Sequence, residues 1–200
     1  MRLWKKLLIG AGALVILAAG GFTWMVGGPR NVIGMLRYDQ RQEGSLKVGD
    51  RAPDFRLPYA TRDSVAADSL TLASLVGRRN VVLAFYPADW SGGCTKEVCT
   101  LRDNFTALGA LNADVVGISG DYVFSHYEWA KHHDLPFRLA SDHSHVVAKQ
   151  YGSFNDTYGF NRRTVYVIDR TGKIAYYDLA YSVRDSVSFT KLKAALVAAK

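Results

Sequence analysis

The stretch Asn80-Val81-Val82-Leu83-Ala84-Phe85-Tyr86-Pro87-Ala88-Asp89-Trp90-Ser91-Gly92-Gly93-Cys94-Thr95-Lys96-Glu97-Val98-Cys99 decides how the rest of the chain is read. Its first seven residues are a continuous apolar run that stops at Pro87, the pattern of a central strand buried on both faces. From Thr95 to Leu108 the apolar residues Val98, Leu101, Phe105 and Leu108 recur at helical spacing. A helix is therefore expected to start near Gly93. Cys94 then sits where a strand hands over to a helix, at the positive end of the helix dipole, which favours thiolate. Cys99, five residues on, is the only other cysteine of the chain. A second thiol so close can trap an oxidised form of the first. The segment points to redox chemistry.

Working outward, Ala113–Ser119 reads as a second buried strand and Phe124–His133 as a helix, with Pro136 after its end. Leu135–Leu139 is a short strand candidate, and His145–Tyr151 a helical turn or two. Arg163–Asp169 and Ile174–Tyr177, joined through Arg170-Thr171-Gly172-Lys173, form a hairpin signal. Asp185–Ala199 closes the chain as an amphipathic helix. Strands alternating with helices, followed by a hairpin, predict an α/β fold with a mixed sheet.

Two hundred residues, 48% hydrophobic and 22% charged, suit one globular domain plus an appendage. The net charge of +7 suggests a polyanion until it is located. Residues 1–41 hold six basic groups against Asp39, whereas the other 159 residues carry 19 basic and 17 acidic groups. The surplus belongs to the N-terminal segment, and a membrane accounts for it better than nucleic acid does. Leu7–Gly28 contains no charge, and as a helix it spans about 33 Å, enough for a hydrocarbon core of about 30 Å. Trp4 and Trp24 lie near its ends. A cleaved signal peptide is the alternative, since Ala18-Ala19-Gly20 offers small residues, but the apolar run continues past them. The expected organisation is a single-pass membrane anchor over 1–28, a tether over 29–47 and the folded domain over 48–200. That domain is expected on the exported face of a cell membrane.

Pro87-Ala88-Asp89-Trp90-Ser91-Gly92-Gly93-Cys94 resembles the P-x-x-x-[T/S]-x-x-C signature of peroxiredoxins. Thr95-Lys96-Glu97-Val98-Cys99 is similar to the continuation found in the bacterioferritin-comigratory-protein branch, where a second cysteine follows five positions later. Val48–Phe55, Ser125–Trp129, Leu135–Phe137 and Asp142–Gly152 also follow the family pattern, so the likeness covers 48 to about 180. The resemblance implies a thioredoxin-like fold and a thiol-dependent peroxidase acting on hydrogen peroxide or organic hydroperoxides. It implies a thioredoxin-like reductant as partner and no cofactor or metal. By the same resemblance Cys94 is the peroxidatic cysteine, Cys99 the resolving cysteine, Ser91 the hydroxyl beside the sulfur, and Pro87 the residue that shields the pocket. Arg163 is the arginine that accompanies the thiolate; strand alternation sends its neighbour Arg162 to the other face. Ser91 replaces the commoner Thr, and Gly92 adds backbone freedom beside Gly93.

In an intact helix, residues five apart are rotated by about 140°, with Cα atoms roughly 8–9 Å apart. A disulfide needs less than about 7 Å. A Cys94–Cys99 bond therefore requires the turn around Gly92–Val98 to unwind. Other readings of the pair are a structural disulfide, although so short a loop stabilises little, and a tethered thiol–disulfide oxidoreductase, which would use C-x2-C. A copper-delivery protein would use C-x3-C and a downstream His. All five histidines fall within 126–145, without zinc-ligand spacing, and are expected at surface helix and loop positions, with a structural role for His126 in the family-like Ser125–Trp129 segment. Glu97 either orients Arg163 or occupies a solvated helix face. Trp90 is expected to make an aromatic core contact rather than to set substrate access.

Overall fold

A computed structural model describes residues 46–182 and 184–199. The expected anchor over 1–28 and almost all of the tether over 29–47 lie outside the described residues. Gln42–Lys200 forms one compact unit. Its strands are β1 (Arg56–Ala60), β2 (Val65–Thr71), β3 (Asn80–Phe85), β4 (Ala113–Ser119), β5 (Arg138–Ser141), β6 (Phe154–Asn155), β7 (Phe160–Asn161), β8 (Thr164–Ile168) and β9 (Ile174–Asp178). Its helices are α1 (Gly92–Asp103), α2 (Phe105–Ala110), α3 (Val123–His132), α4 (Val146–Gln150) and α5 (Ser186–Ala198). Seven strands form one mixed sheet in the order β2-β1-β5-β4-β3-β8-β9, and β6 and β7 form a separate small ribbon.

The sheet sorts its side chains by strand alternation. Val82 and Ala84 of β3, Val115 of β4 and Val165 and Val167 of β8 enter one core with Cys94, Val98 and Leu101 of α1, Trp129 of α3, and Leu192 and Leu196 of α5. Val81, Leu83 and Phe85, with Val116, Ile118, Tyr166 and Ile168, enter the opposite core, closed by Phe55, Leu72, Leu75 and Tyr151. Every residue of β3 and β8 is buried, as continuous apolar runs require. Each fully buried large side chain contributes about 1.5–3 kcal/mol.

Several elements depart from the sequence reading. The helix expected over Thr95–Leu108 is two helices, broken at Asn104, whose side-chain amide donates to the Thr100 carbonyl at 2.9 Å. An amide side chain that bonds its own backbone competes with helix continuation. The strand expected at Leu135–Leu139 starts later, at Arg138. The Leu135 N–H closes α3 on the Ala130 carbonyl at 2.9 Å, and Pro136 has no N–H to give a ladder. Strands β1 and β2 were not expected; they have mostly half-buried or exposed residues, with only Leu57, Ala60 and Leu70 inside, so no apolar run marks them.

The topology places the site. β3 and β4 run parallel and β8 runs antiparallel to β3, with Phe85 paired to Thr164. The start of β8 therefore lies beside the end of β3. Residue 163 is brought against the loop that follows Tyr86, at the carboxyl ends of β3 and β4 where open α/β sheets bind ligands.

Candidate active site

The loop after β3 carries Pro87, half-buried, to Ser91, the N-cap of α1. Ser91 has extended backbone angles, and its Oγ accepts from the Cys94 N–H at 3.4 Å. Its carbonyl accepts from the Thr95 N–H at 2.8 Å, the first turn of the helix. A hydroxyl at this position satisfies a donor that would otherwise be orphaned. Cys94 is thereby fixed in the first turn, where the helix presents partial positive charge. Its thiol is free and 0% exposed.

Arg163 reaches the sulfur from the sheet. Its Nη2 donates to Cys94 Sγ at 3.4 Å, and its Nη1 donates to Glu97 Oε2. Gly93 makes room for it: a Cβ there would lie 3.2 Å from Arg163 Nη2. Burial works against the charge of Arg163, but Glu97 and Cys94 more than offset it and raise its pKa. Cys94, Ser91 and Arg163 thus converge. Cys99 does not join them. It lies about 1.4 turns further along α1, half-buried, with its thiol free.

Glu97 is where the structure decides between two readings. It is 1% exposed and paired with Arg163, so it does not occupy a solvated face. The signal was available in sequence, because Glu97 shares the helical face of Cys94 and Leu101 at i, i+3 and i+7. Burial pushes its carboxyl up to about 7, against the opposing pull of Arg163, and its Oε1 has no hydrogen-bond partner among the described residues. The stability consequence has a definite sign. The unfolded chain ionises Glu97 near the usual 4.5 and the folded chain only near 7, so the folded state holds the extra proton between those values. The penalty of Glu97 is absent below about 4.5, grows as pH rises, and is complete above about 7. Denaturant titrations from pH 4.5 to 8 are expected to show the wild type losing stability relative to Glu97→Gln over this window; parallel profiles would contradict it.

Two further expectations are corrected. Trp90 is not a core residue: it is 53% exposed, at φ 60°, with its ring 5.5 Å from His132 and 6.3 Å from His133. Bulky residues avoid this region, at a cost of about 1–3 kcal/mol. His126 is not on the surface: it is 0% exposed, with Nδ1 2.9 Å from Asp89 Oδ2. It lies on the inward face of α3 with Trp129 and Ala130, a spacing visible in sequence.

Residues 48–177 match the AhpC/TSA family. The chain belongs to the AhpC/TSA family. A putative peroxiredoxin bcp from Coxiella burnetii is 38% identical over 137 residues, covering 66% of this chain and 87% of that protein. A putative chloroplastic peroxiredoxin Q from indica rice is 40% identical over 134 residues, which is 66% of this chain but 59% of the rice protein. Among solved structures, the peroxidoxin BcpB of Mycobacterium tuberculosis aligns with a TM-score of 0.67 and 31% identity, over 78% of this chain and 99% of that one. The AhpC/TSA domain is thus a thioredoxin-like α/β fold with a mixed sheet flanked by helices. The expected placement at a cell membrane, with the domain on the exported face, is corrected by these comparisons. Several of the matching relatives are named as chloroplastic, and among the described residues no helix is long and apolar enough to cross a membrane.

Proposed function

We propose that the protein is a thiol-dependent peroxidase of the peroxiredoxin Q and bacterioferritin-comigratory-protein branch, with Cys94 as peroxidatic and Cys99 as resolving cysteine. The observation that carries this reading is the convergence of the Arg163 guanidinium and the Ser91-capped start of α1 on one buried sulfur. The substrates are hydrogen peroxide or organic hydroperoxides, and the reductant is a thioredoxin-like protein.

The thiolate of Cys94 attacks one peroxide oxygen. The O–O bond breaks, the sulfur loses two electrons and becomes sulfenic acid, and the other oxygen leaves with a proton as water or alcohol. Negative charge develops on that leaving oxygen. Arg163, which already donates to Cys94 Sγ, and the Ser91 hydroxyl are the donors this reading assigns to it. Pro87, half-buried in the loop after β3, is the residue this reading assigns to shielding the sulfur from water. Cys99 then attacks the sulfenic sulfur, water leaves, and a Cys94–Cys99 disulfide forms. A dithiol reductant returns two electrons and two protons. The domain organisation proposed with this reading is a catalytic unit over 48–200 preceded by a segment over 29–47.

The test is peroxide-dependent oxidation of a thioredoxin-like donor in steady state. Turnover is expected in the wild type and a loss of at least about a thousandfold in Cys94→Ser, since no other thiol occupies the site. Cys99→Ser is expected to react once and stop. Equal turnover in Cys94→Ser removes the proposal.

A further inference from the structure

The loop between β3 and α1 is tied down by a buried network centred on Asp89. Asp89, five residues before Cys94, has a side chain that is 0% exposed. Its carboxylate accepts from Tyr86 Oη at 2.9 Å, from Ser125 Oγ at 2.8 Å and from His126 Nδ1 at 2.9 Å. Its backbone N–H donates to Asp121 Oδ2 at 2.9 Å, and that carboxylate also accepts from Ser119 Oγ at 2.6 Å. One residue thus joins the loop to the end of β3, to the end of β4 and to the first turn of α3. A carboxylate is costly to bury without donors, and here three side chains supply them.

The neighbour of Asp89 gives the network its purpose. Trp90 is held at φ 60°, although its indole is more than half exposed. A strained turn persists only where its surroundings over-determine it, and the anchored neighbour is Asp89. The turn delivers Ser91 to the N-cap position, and Ser91 in turn fixes the Cys94 N–H. The same segment has to let go later, because Cys94 and Cys99 lie about 1.4 turns apart on one helix.

We infer that Asp89, held by His126, Ser125 and Tyr86, is a positioning residue that keeps the loop before Cys94 in the geometry needed for peroxide attack. This inference rests on the peroxidase reading. It assigns opposite effects to two steps: loosening the loop slows attack, which needs the wound helix, and does not slow disulfide formation, which needs the unwound one. A role in overall stability alone would depress both steps together, in proportion to the folded fraction.

The experiment is a rapid-quench single turnover of the reduced full chain with hydrogen peroxide, following Cys94 sulfenic acid and the disulfide separately by mass. Asp89→Asn and His126→Gln are the main variants; Ser125→Ala, which removes one donor, is the milder one and carries the test should the others not fold. Cys94 oxidation is expected to slow at least tenfold in Asp89→Asn and less in Ser125→Ala, with disulfide formation as fast as in the wild type or faster. Oxidation at the wild-type rate in every variant that folds, or both steps slowing by the same factor, overturns the inference. A wild-type chain inert to peroxide overturns the peroxidase reading as well, and is told apart from failure of the positioning role alone, in which the wild type reacts and the variants keep pace.

Discussion

Replacing Arg163 by Met is expected to slow oxidation of Cys94 by about a hundredfold or more, the effect of removing one donor aimed at developing charge. The guanidinium donates to Cys94 Sγ through Nη2 and to Glu97 through Nη1. A second effect is therefore expected on stability. Without Arg163, Glu97 is left 1% exposed with no cation beside it. Its carboxyl is already pushed up to about 7 by burial, and loss of the opposing charge raises it further, so the variant takes up a proton. The destabilisation is about 1–3 kcal/mol near neutrality, the cost of a buried polar group without its partner, and it grows as pH rises. The double variant Arg163→Met/Glu97→Gln separates the two effects. It is expected to regain most of the lost stability, since the unpaired Glu97 carboxylate is gone, while oxidation stays as slow as in Arg163→Met. Stopped-flow oxidation and denaturant titrations on the four proteins of the cycle measure both. Oxidation of Arg163→Met within about threefold of the wild type contradicts the role given to the guanidinium.

The second large effect concerns the helix. Cys94 and Cys99 both lie in α1, which runs unbroken from Gly92 to Asp103 with both thiols free. A disulfide between them cannot form within helical geometry. Amide exchange of residues 95–99 is expected to be at least about a hundredfold faster in the disulfide form than in the reduced form, while β3 and β4 exchange equally slowly in both. Unwinding breaks a few backbone hydrogen bonds, each worth about 0.5–1.5 kcal/mol. It also withdraws Val98 from the core and separates Glu97 from Arg163. Gly92 and Gly93 favour the unwound state by about 1 kcal/mol each relative to alanine. Equal exchange across residues 95–99 in the two forms contradicts the unwinding.

The parts of the fold that were legible share one property. β3, β4 and β8 are buried on both faces, so apolar runs with no alternating polar face mark them, Val115–Ile118 in β4 after Asp114 at its start. The start of α1 was equally legible, because Ser91, Cys94 and Cys99 are close in sequence and one helix start fixes their placement. Arg163 lies 69 residues from Cys94; periodicity does not join them, and family resemblance supplied the link that the β3–β8 register then explains. What escaped was set by tertiary contact. β1 and β2 are defined by pairing with each other and with β5 rather than by apolar content. The burial of Glu97 and His126 depends on Arg163 and Asp89, partners distant in sequence. In both cases helical spacing placed a charged or titratable residue on an apolar face, which itself announces a buried partner.

The central claim is that one sulfur, Cys94, cleaves a peroxide O–O bond and passes its oxidation to Cys99. The most direct measurement treats the reduced full chain with one equivalent of hydrogen peroxide and reads intact and peptide masses. The wild type is predicted to lose two hydrogens, mapped to a Cys94–Cys99 bond, and Cys99→Ser to gain one oxygen on Cys94. Unchanged masses in both proteins, or oxygen found on Cys99 with Cys94 untouched, would contradict the account.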